Sequence, residues 1–143
     1  MDARRAFNGS VIGSVSRTPE QARARSGSFM AQVEAVQDGV TVGTMEIKHS
    51  QTARVTTVSN ILNLKPAEMK GVGEAMFRRA EHVGRQFGAT ELHTTLTAPE
   101  AQGFYRKMGM QPDPATAALY RQAAPDLSEE AIARKVPVWK KAL

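Results

Sequence analysis

Apolar and polar positions along the chain fall into two rhythms. In Phe29-Met30-Ala31-Gln32-Val33-Glu34-Ala35-Val36 and in Val40-Thr41-Val42-Gly43-Thr44-Met45-Glu46-Ile47 they alternate with a period near two, the pattern of half-buried strands. Gln37-Asp38-Gly39 separates the runs, and Asp-Gly supplies the positive φ angles of a tight turn, so an antiparallel hairpin is predicted. Residues 54–64 predict the next, central strand. Its Thr56, Ser59, Asn60 and Asn63 are polar where a core is expected, which calls for hydrogen bonds or a wet cleft. The period then lengthens: Val72, Met76, Ala80, Val83 and Phe87 recur at helical spacing beside Phe77, with Arg78, Arg79, Glu81, Arg85 and Gln86 opposite. That is one amphipathic helix laid on a sheet, carrying Glu74-Arg78 and Glu81-Arg85 pairs and ended by Gly88. Residues 91–96 alternate again as a fifth strand. Joined to the central strand through a helix, it should run parallel to it.

The flanks are less regular. Ser10-Val11-Ile12-Gly13-Ser14-Val15-Ser16 alternates loosely, as an edge strand does. Thr18-Pro19-Glu20-Gln21 reads as a helix start, with Thr18 as cap and Gln21 closing a capping box. Thr97-Ala98-Pro99-Glu100 predicts a second box, opening a helix whose apolar side is Ala101, Phe104, Tyr105 and Met108 and whose stop is Gly109. Gly103 inside that helix costs about 1 kcal/mol relative to alanine, which points to a close contact there. After Pro112-Asp113-Pro114, the run Ala118-Leu119-Tyr120-Arg121-Gln122 predicts a returning final strand. Residues 127–143 read as a short capped helix to Lys135 and a basic tail, with the large apolar ring of Trp139 docked on the body.

Composition narrows the classes. A chain of 143 residues is one domain, 1–143, with room for a core. Its 41% hydrophobic and 23% charged content excludes wholesale disorder. A net charge of +5 and a pI near 9.9 favour an anionic partner, although the excess is dispersed and a solvated basic surface also accounts for it. The absence of cysteine excludes a disulfide frame, a thiolate metal site and a cysteine nucleophile. His49, His82 and His93 have no metal-ligand spacing, so no metal is expected. Nucleic acid is disfavoured, since 6% aromatic content gives no stacking platform. No apolar run approaches the roughly 20 residues that span a bilayer, and Met1-Asp2-Ala3-Arg4-Arg5 leads into no signal core. The expectation is a soluble, cytoplasmic protein.

Met69-Lys70-Gly71-Val72-Gly73-Glu74-Ala75 joins the central strand to the long helix. Glycines at such a turn allow close backbone approach, and the free amides of the new helix face any anion lying there. With Asn60-Ile61-Leu62-Asn63-Leu64-Lys65-Pro66 before it and Ala101-Gln102-Gly103-Phe104-Tyr105-Arg106-Lys107-Met108-Gly109-Met110 after it, the stretch 55–110 resembles the GCN5-related N-acetyltransferase (GNAT) family. That family's signature is a strand, Arg/Gln-x-x-Gly-x-Gly/Ala, a helix, a strand, and Asn-x-x-Ala-x-x-Phe-Tyr-x-x-x-Gly-Phe. The cradle maps on Lys70 to Ala75, with lysine where arginine is commoner. The later motif maps on Ala98 to Tyr105, with alanine for the usual asparagine, a loss that weakens the hold on pantetheine unless Thr97 substitutes.

The resemblance implies a mixed α/β (α+β) fold, a mainly antiparallel central sheet flanked by helices, and acetyl-coenzyme A as co-substrate. It implies a cofactor site of Leu62, Asn63 and Leu64 against the pantetheine arm and thioester, Lys70, Gly71, Val72, Gly73, Glu74 and Ala75 against the pyrophosphate, and Ala98, Ala101 and Phe104 beyond. Tyr105 matches the tyrosine that protonates the departing thiolate. The N-terminal helical region is shortened: residues 1–28 cannot build two long helices at about 1.5 Å per residue. The acceptor wall is then reduced, so either the acceptor is a protein or other macromolecule, or a second chain such as a homodimer partner completes the site. Family members often carry a glutamate on the fourth strand, and 54–64 holds no carboxylate. His93 is the best remaining base, followed by Glu91 and His49. Two readings result: an N-acetyltransferase acting on an amine, and a non-catalytic acyl-coenzyme A-binding or interaction module that keeps the fold.

Overall fold

The computed structural model describes residues 2–14, 28–95 and 97–143; the helix start expected at Thr18 lies outside them. In chain order the elements are β1 (Arg5–Ala6), β2 (Ser10–Ser14), β3 (Ser28–Gln37), β4 (Val40–Ser50), β5 (Val55–Asn63), β6 (Met69–Lys70), α1 (Val72–Gln86), β7 (Glu91–Thr94), a 3-10 turn (Pro99–Ala101), α2 (Gln102–Lys107), β8 (Gln111–Pro112), α3 (Pro114–Ala123), α4 (Glu129–Lys135) and β9 (Trp139–Ala142). Among the described residues seven strands form one sheet in the order β2-β3-β4-β5-β7-β9-β8. Every junction is antiparallel except β5 with β7, which is parallel. The predicted hairpin is β3-β4, with Asp38 and Gly39 at φ 53° and 76°, and the expected edge strand is β2.

Alternation along the strands sorts their side chains onto two faces. Val42, Met45, Ile47 and His49 of β4 are buried, whereas Thr44, Glu46 and Lys48 between them are not. The buried face receives α1, which contributes Val72, Met76, Phe77, Ala80 and Val83 to a core shared with Phe29, Val33, Val58 and Leu92. Burying each large side chain stabilises the fold by about 1.5–3 kcal/mol. Glu81 breaks the predicted helix pattern: it is buried, with only 4% of its side chain exposed. Its carboxylate meets Arg78 at 2.6 Å, Lys141 at 2.8 Å and Arg85 at 3.6 Å, so an ionic latch ties α1 to β9.

Two C-terminal expectations are corrected. Residues 118–122 are helical, because Asp113 caps α3 by accepting from the Thr116 amide and hydroxyl at 3.3 and 2.7 Å. Pro114 then occupies the first turn, and the alanine-rich segment favours helix. The last strand is instead β9, drawn from the stretch read as a tail and inserted between β7 and β8. Trp139 at its start is fully buried, and the expected short helix to Lys135 is α4, capped by Ser128, whose hydroxyl accepts from the Ala131 amide.

Candidate active site

The turn after β5 brings residues 68–70 against the N-terminal arm. The Arg5 amide donates to Glu68 O at 2.9 Å and the Phe7 amide to Lys70 O at 2.8 Å, making β1 and β6 a parallel pair. Gly71 follows at φ 83°, a conformation open to glycine at little cost. The chain enters α1 directly from it. Ala75 is the first residue whose amide reaches back, to Gly71 O at 3.0 Å, and no side chain caps the helix. The amides of Val72, Gly73 and Glu74 therefore lack helix partners and sit at the positive end of the helix dipole. A Cβ at Gly73 would lie against the Phe104 ring, 3.4 Å away. Counting back from Gly71, the arginine or glutamine position of the family pattern falls on the exposed Glu68 rather than on Lys70.

A cavity of about 540 Å³ opens beside this turn, lined by Arg4, Phe7, Asn63, Lys70, Gly71 and Lys107 together with Asp2 and Glu74. Its cations stand in exposed, solvent-screened pairs: Arg4 and Lys70 with Asp2 at 3.0 and 3.9 Å, and Lys107 with Glu74 at 3.9 Å. Arg4 and Phe7 carry no motif. Only the pairing of β1 with β6 places them at the cradle.

Next to the cradle the sheet splits. β5 and β7 pair over Val55–Val58 with Glu91–Thr94, after which β5 continues to Asn63 and the other chain turns off to the 3-10 turn. At the split β5 bulges: Thr44 pairs with Leu62 but Glu46 with Ser59, and the extra residue, Asn60, has φ 52°. A bulge re-aims the strand locally. The Leu64 amide is already bonded to Val42 O at 2.9 Å, so Leu64 has no amide to offer a thioester. Alternation then aims the amide of Asn63 away from β4, into the split. Leu62 is exposed. The Asn63 side chain closes the turn, donating to Met69 O at 2.9 Å and accepting from the Lys65 amide at 2.8 Å.

On the helical face of the split lies α2. Tyr105 is 7% exposed and stacks edge-on with Phe104 at 5.4 Å, which meets Phe77 in turn at 6.1 Å. Burial raises the Tyr105 hydroxyl above its ordinary pKa, so it stays protonated, as a proton donor must. Ala98 precedes the 3-10 turn in extended conformation without a side-chain cap, and Ala101 is half-buried beside the core. The second capping box is absent: the Thr97 hydroxyl is engaged by Thr94 Oγ1 at 2.8 Å, which also accepts from the Trp139 amide. Gly103 faces open space, so the close contact expected there does not arise within the chain.

The remaining candidates are divided between the two faces of the sheet. His93 pairs with Thr57, below the bulge, and its Nε2 lies 3.4 Å from Glu91 Oε1. His49 is a core residue, fully buried, bonded to Thr56 and Gln51 and packed against Phe29 and Phe87. Sequence reasoning missed Glu46. Its carboxylate accepts from Asn60 Nδ2 at 3.0 Å, Ser59 Oγ at 3.5 Å and Gln32 Nε2 at 3.3 Å. The alternation of β4 marked it as outward-facing; the bulge that brings it to the split left no trace in the pattern.

An uncapped helix start, a sheet split beside it and a bulged central strand mark a mixed α/β domain. The chain belongs to the acetyltransferase (GNAT) family, whose model matches residues 5–110. The co-substrate is acetyl-coenzyme A, and the free amides, local cations and split suit a long anionic thioester. Among solved structures, a putative N-acetyltransferase from Lactobacillus plantarum shares 19% identity, with 95% of this chain and 99% of that one covered and a TM-score of 0.58. A PaiA N-acetyltransferase from Thermoplasma acidophilum in complex with coenzyme A shares 13%, covering 87% and 66%, with a TM-score of 0.55. A tandem GNAT protein from the clavulanic acid biosynthesis pathway shares 18% over 62% of this chain, which spans only 30% of its length, with a TM-score of 0.55. No curated protein matches the sequence significantly. No helix among the described residues is long and apolar enough to cross a membrane.

Proposed function

We propose that the protein is a cytoplasmic N-acetyltransferase that moves the acetyl group of acetyl-coenzyme A to a primary amine on a protein or other macromolecule. The observation that carries this reading is the split between β5 and β7 at the Asn60 bulge, directly beside the free amides of Val72 to Glu74. Those amides, with Lys70, Arg4 and Lys107, hold the phosphates at the mouth; the Asn63 amide and the bulged backbone orient the thioester carbonyl in the split. Tyr105 donates its proton to the departing thiolate. Supporting a large acceptor, the outward face of β3, β4 and β5 is covered by no helix among the described residues and exposes Met30 and Leu62.

A non-catalytic acyl-coenzyme A-binding module is the second reading, favoured by Ala98 in place of asparagine and by a β5 without a carboxylate. Calorimetric titration with acetyl-coenzyme A followed by mass spectrometry of a panel of amines and proteins separates the two. Binding with transfer supports the enzyme. Binding without transfer up to about pH 9, where a growing share of lysine is neutral unaided, supports the module, and absence of binding defeats both.

A further inference from the structure

Acyl transfer to an alkyl amine needs a group to take the proton, because a lysine-type amine with a pKa near 10.4 is only about one part in 10³ neutral at pH 7. The candidates differ in place. His93 is set opposite Thr57 and turned to Glu91, and Glu91 itself is held by Lys140 at 3.6 Å. His49 is sealed in the core. Glu74 stands at the cradle, paired with Arg78 and Lys107. Among the described residues, Glu46 is the carboxylate bonded to the side chains of the bulge itself, Ser59 and Asn60.

Three features suit Glu46 to an incoming ammonium. It sits on the outward face, across the sheet from Tyr105, so acid and base approach the split from opposite sides. Its hydrogen-bond partners among the described residues are neutral amides and a hydroxyl, which orient the carboxylate without neutralising its charge. The described residues facing it from neighbouring strands are Gln32 and Glu34 on β3, Lys48 two positions along β4, and uncharged Thr57, Ser59 and Leu62 on β5, so among them no histidine and no arginine competes for it.

We propose that Glu46 is the acceptor-amine residue of this site: it holds the cationic amine at the bulge and takes its proton during acetyl transfer. The proposal rests on the N-acetyltransferase reading. The ammonium bound against the carboxylate gives one proton to Glu46, which passes it to solvent, and the neutral amine then attacks. As nitrogen bonds to the thioester carbonyl carbon, its second proton passes to Glu46 and the C–S bond breaks. The thiolate takes the proton of Tyr105, which Glu46 and Tyr105 then exchange with solvent. Amine and thioester become amide and thiol, with no other reactant.

The test compares the parent with Glu46→Gln, which keeps the volume and can still accept from Asn60. Expected are an acetyl-coenzyme A affinity within about twofold of the parent and a kcat/KM for the amine about 10²-fold lower or more, as for loss of a general base. The deficit should shrink as pH rises from 7 to 9, and Glu46→Asp should recover part of the rate. Full activity of Glu46→Gln overturns the proposal, as does loss of cofactor affinity in step with activity, which would make Glu46 a prop for the bulge. If His93→Ala removes the pH-dependent limb while Glu46→Gln leaves it, the base is His93 and the proposal is also overturned. A parent that binds acetyl-coenzyme A yet acetylates nothing refutes the enzyme reading first, and this one with it.

Discussion

Gly43 offers a direct measure of how tightly the sheet holds the cradle. A Cβ built on it would lie 2.5 Å from Val72 Cγ1, 3.0 Å from Met76 Cε and 3.2 Å from Leu62 O. The methionine can swing aside. Val72 cannot do so readily: it is fully buried, its branched side chain is stiff, and it is the first residue of α1, so relief requires the helix start to move away from β4. Overpacking of this kind costs about 1–3 kcal/mol, and Gly43→Ala should lower Tm by roughly 3–4 °C per kcal/mol for a chain of this length. The shift also displaces the free amides of Val72 and Gly73, so acetyl-coenzyme A should bind about tenfold more weakly, or ~1.4 kcal/mol. Val72→Ala alone should cost about 2 kcal/mol through lost burial and a cavity. Combined, the two should be less harmful than their sum by about 1–2 kcal/mol, because the new methyl fills the space the valine vacates. Thermal and denaturant unfolding of the four proteins, with calorimetric titration of each, measures the cycle. Strict additivity, or a Gly43→Ala protein as stable as the parent, would refute the claim that this glycine exists to seat the cradle helix.

Other outcomes follow from the same geometry. Gly73→Val should abolish acetyl-coenzyme A binding while the circular dichroism stays near that of the parent, because its branches press on Phe104 and fill the approach to the amides; unchanged affinity would remove the cradle. Tyr105→Phe should lower turnover by about 10–10²-fold with little change in cofactor affinity, and equal turnover would leave Tyr105 as packing alone. Burial by itself pushes the Glu81 carboxyl up, but hydrogen bonds from Lys141 and Arg78 outweigh it and hold the folded pKa below the ordinary value. Its contribution is thus present above the unfolded carboxylate range near 4.3 and is lost as pH falls through the folded value. Glu81→Gln should cost roughly 1–3 kcal/mol at pH 7, since removing one partner strands a cation that solvent only partly screens. Chemical unfolding should show that gap closing below about pH 4, and a gap constant with pH would mean the latch carries no charge-dependent stability.

Sequence by itself determined the elements whose signals are local. The Asp38-Gly39 hairpin, the helix from Val72 with its stop at Gly88, the parallel strand after it and the short capped helix to Lys135 all lie in short windows, because backbone conformation and amphipathic period act over a few residues. The turn into the helix at Gly71 and the helical face that holds Phe104 and Tyr105 were legible for the same reason: helix starts and helix faces are written in consecutive positions. Tertiary structure decided everything that depends on which strands meet. Residues 139–142 carry no strong strand pattern, yet they pair with β7 and β8 because Trp139 and Lys141 find the core and Glu81 on that side of the sheet. Arg4 reaches the cavity beside the turn into α1 only through the pairing of β1 with β6, some 60 residues apart. Glu46 reads in sequence as one more polar position of an alternating strand. It comes to the split because β5 carries an extra residue at Asn60 relative to β4, and a register shift is a property of two strands together that neither encodes alone.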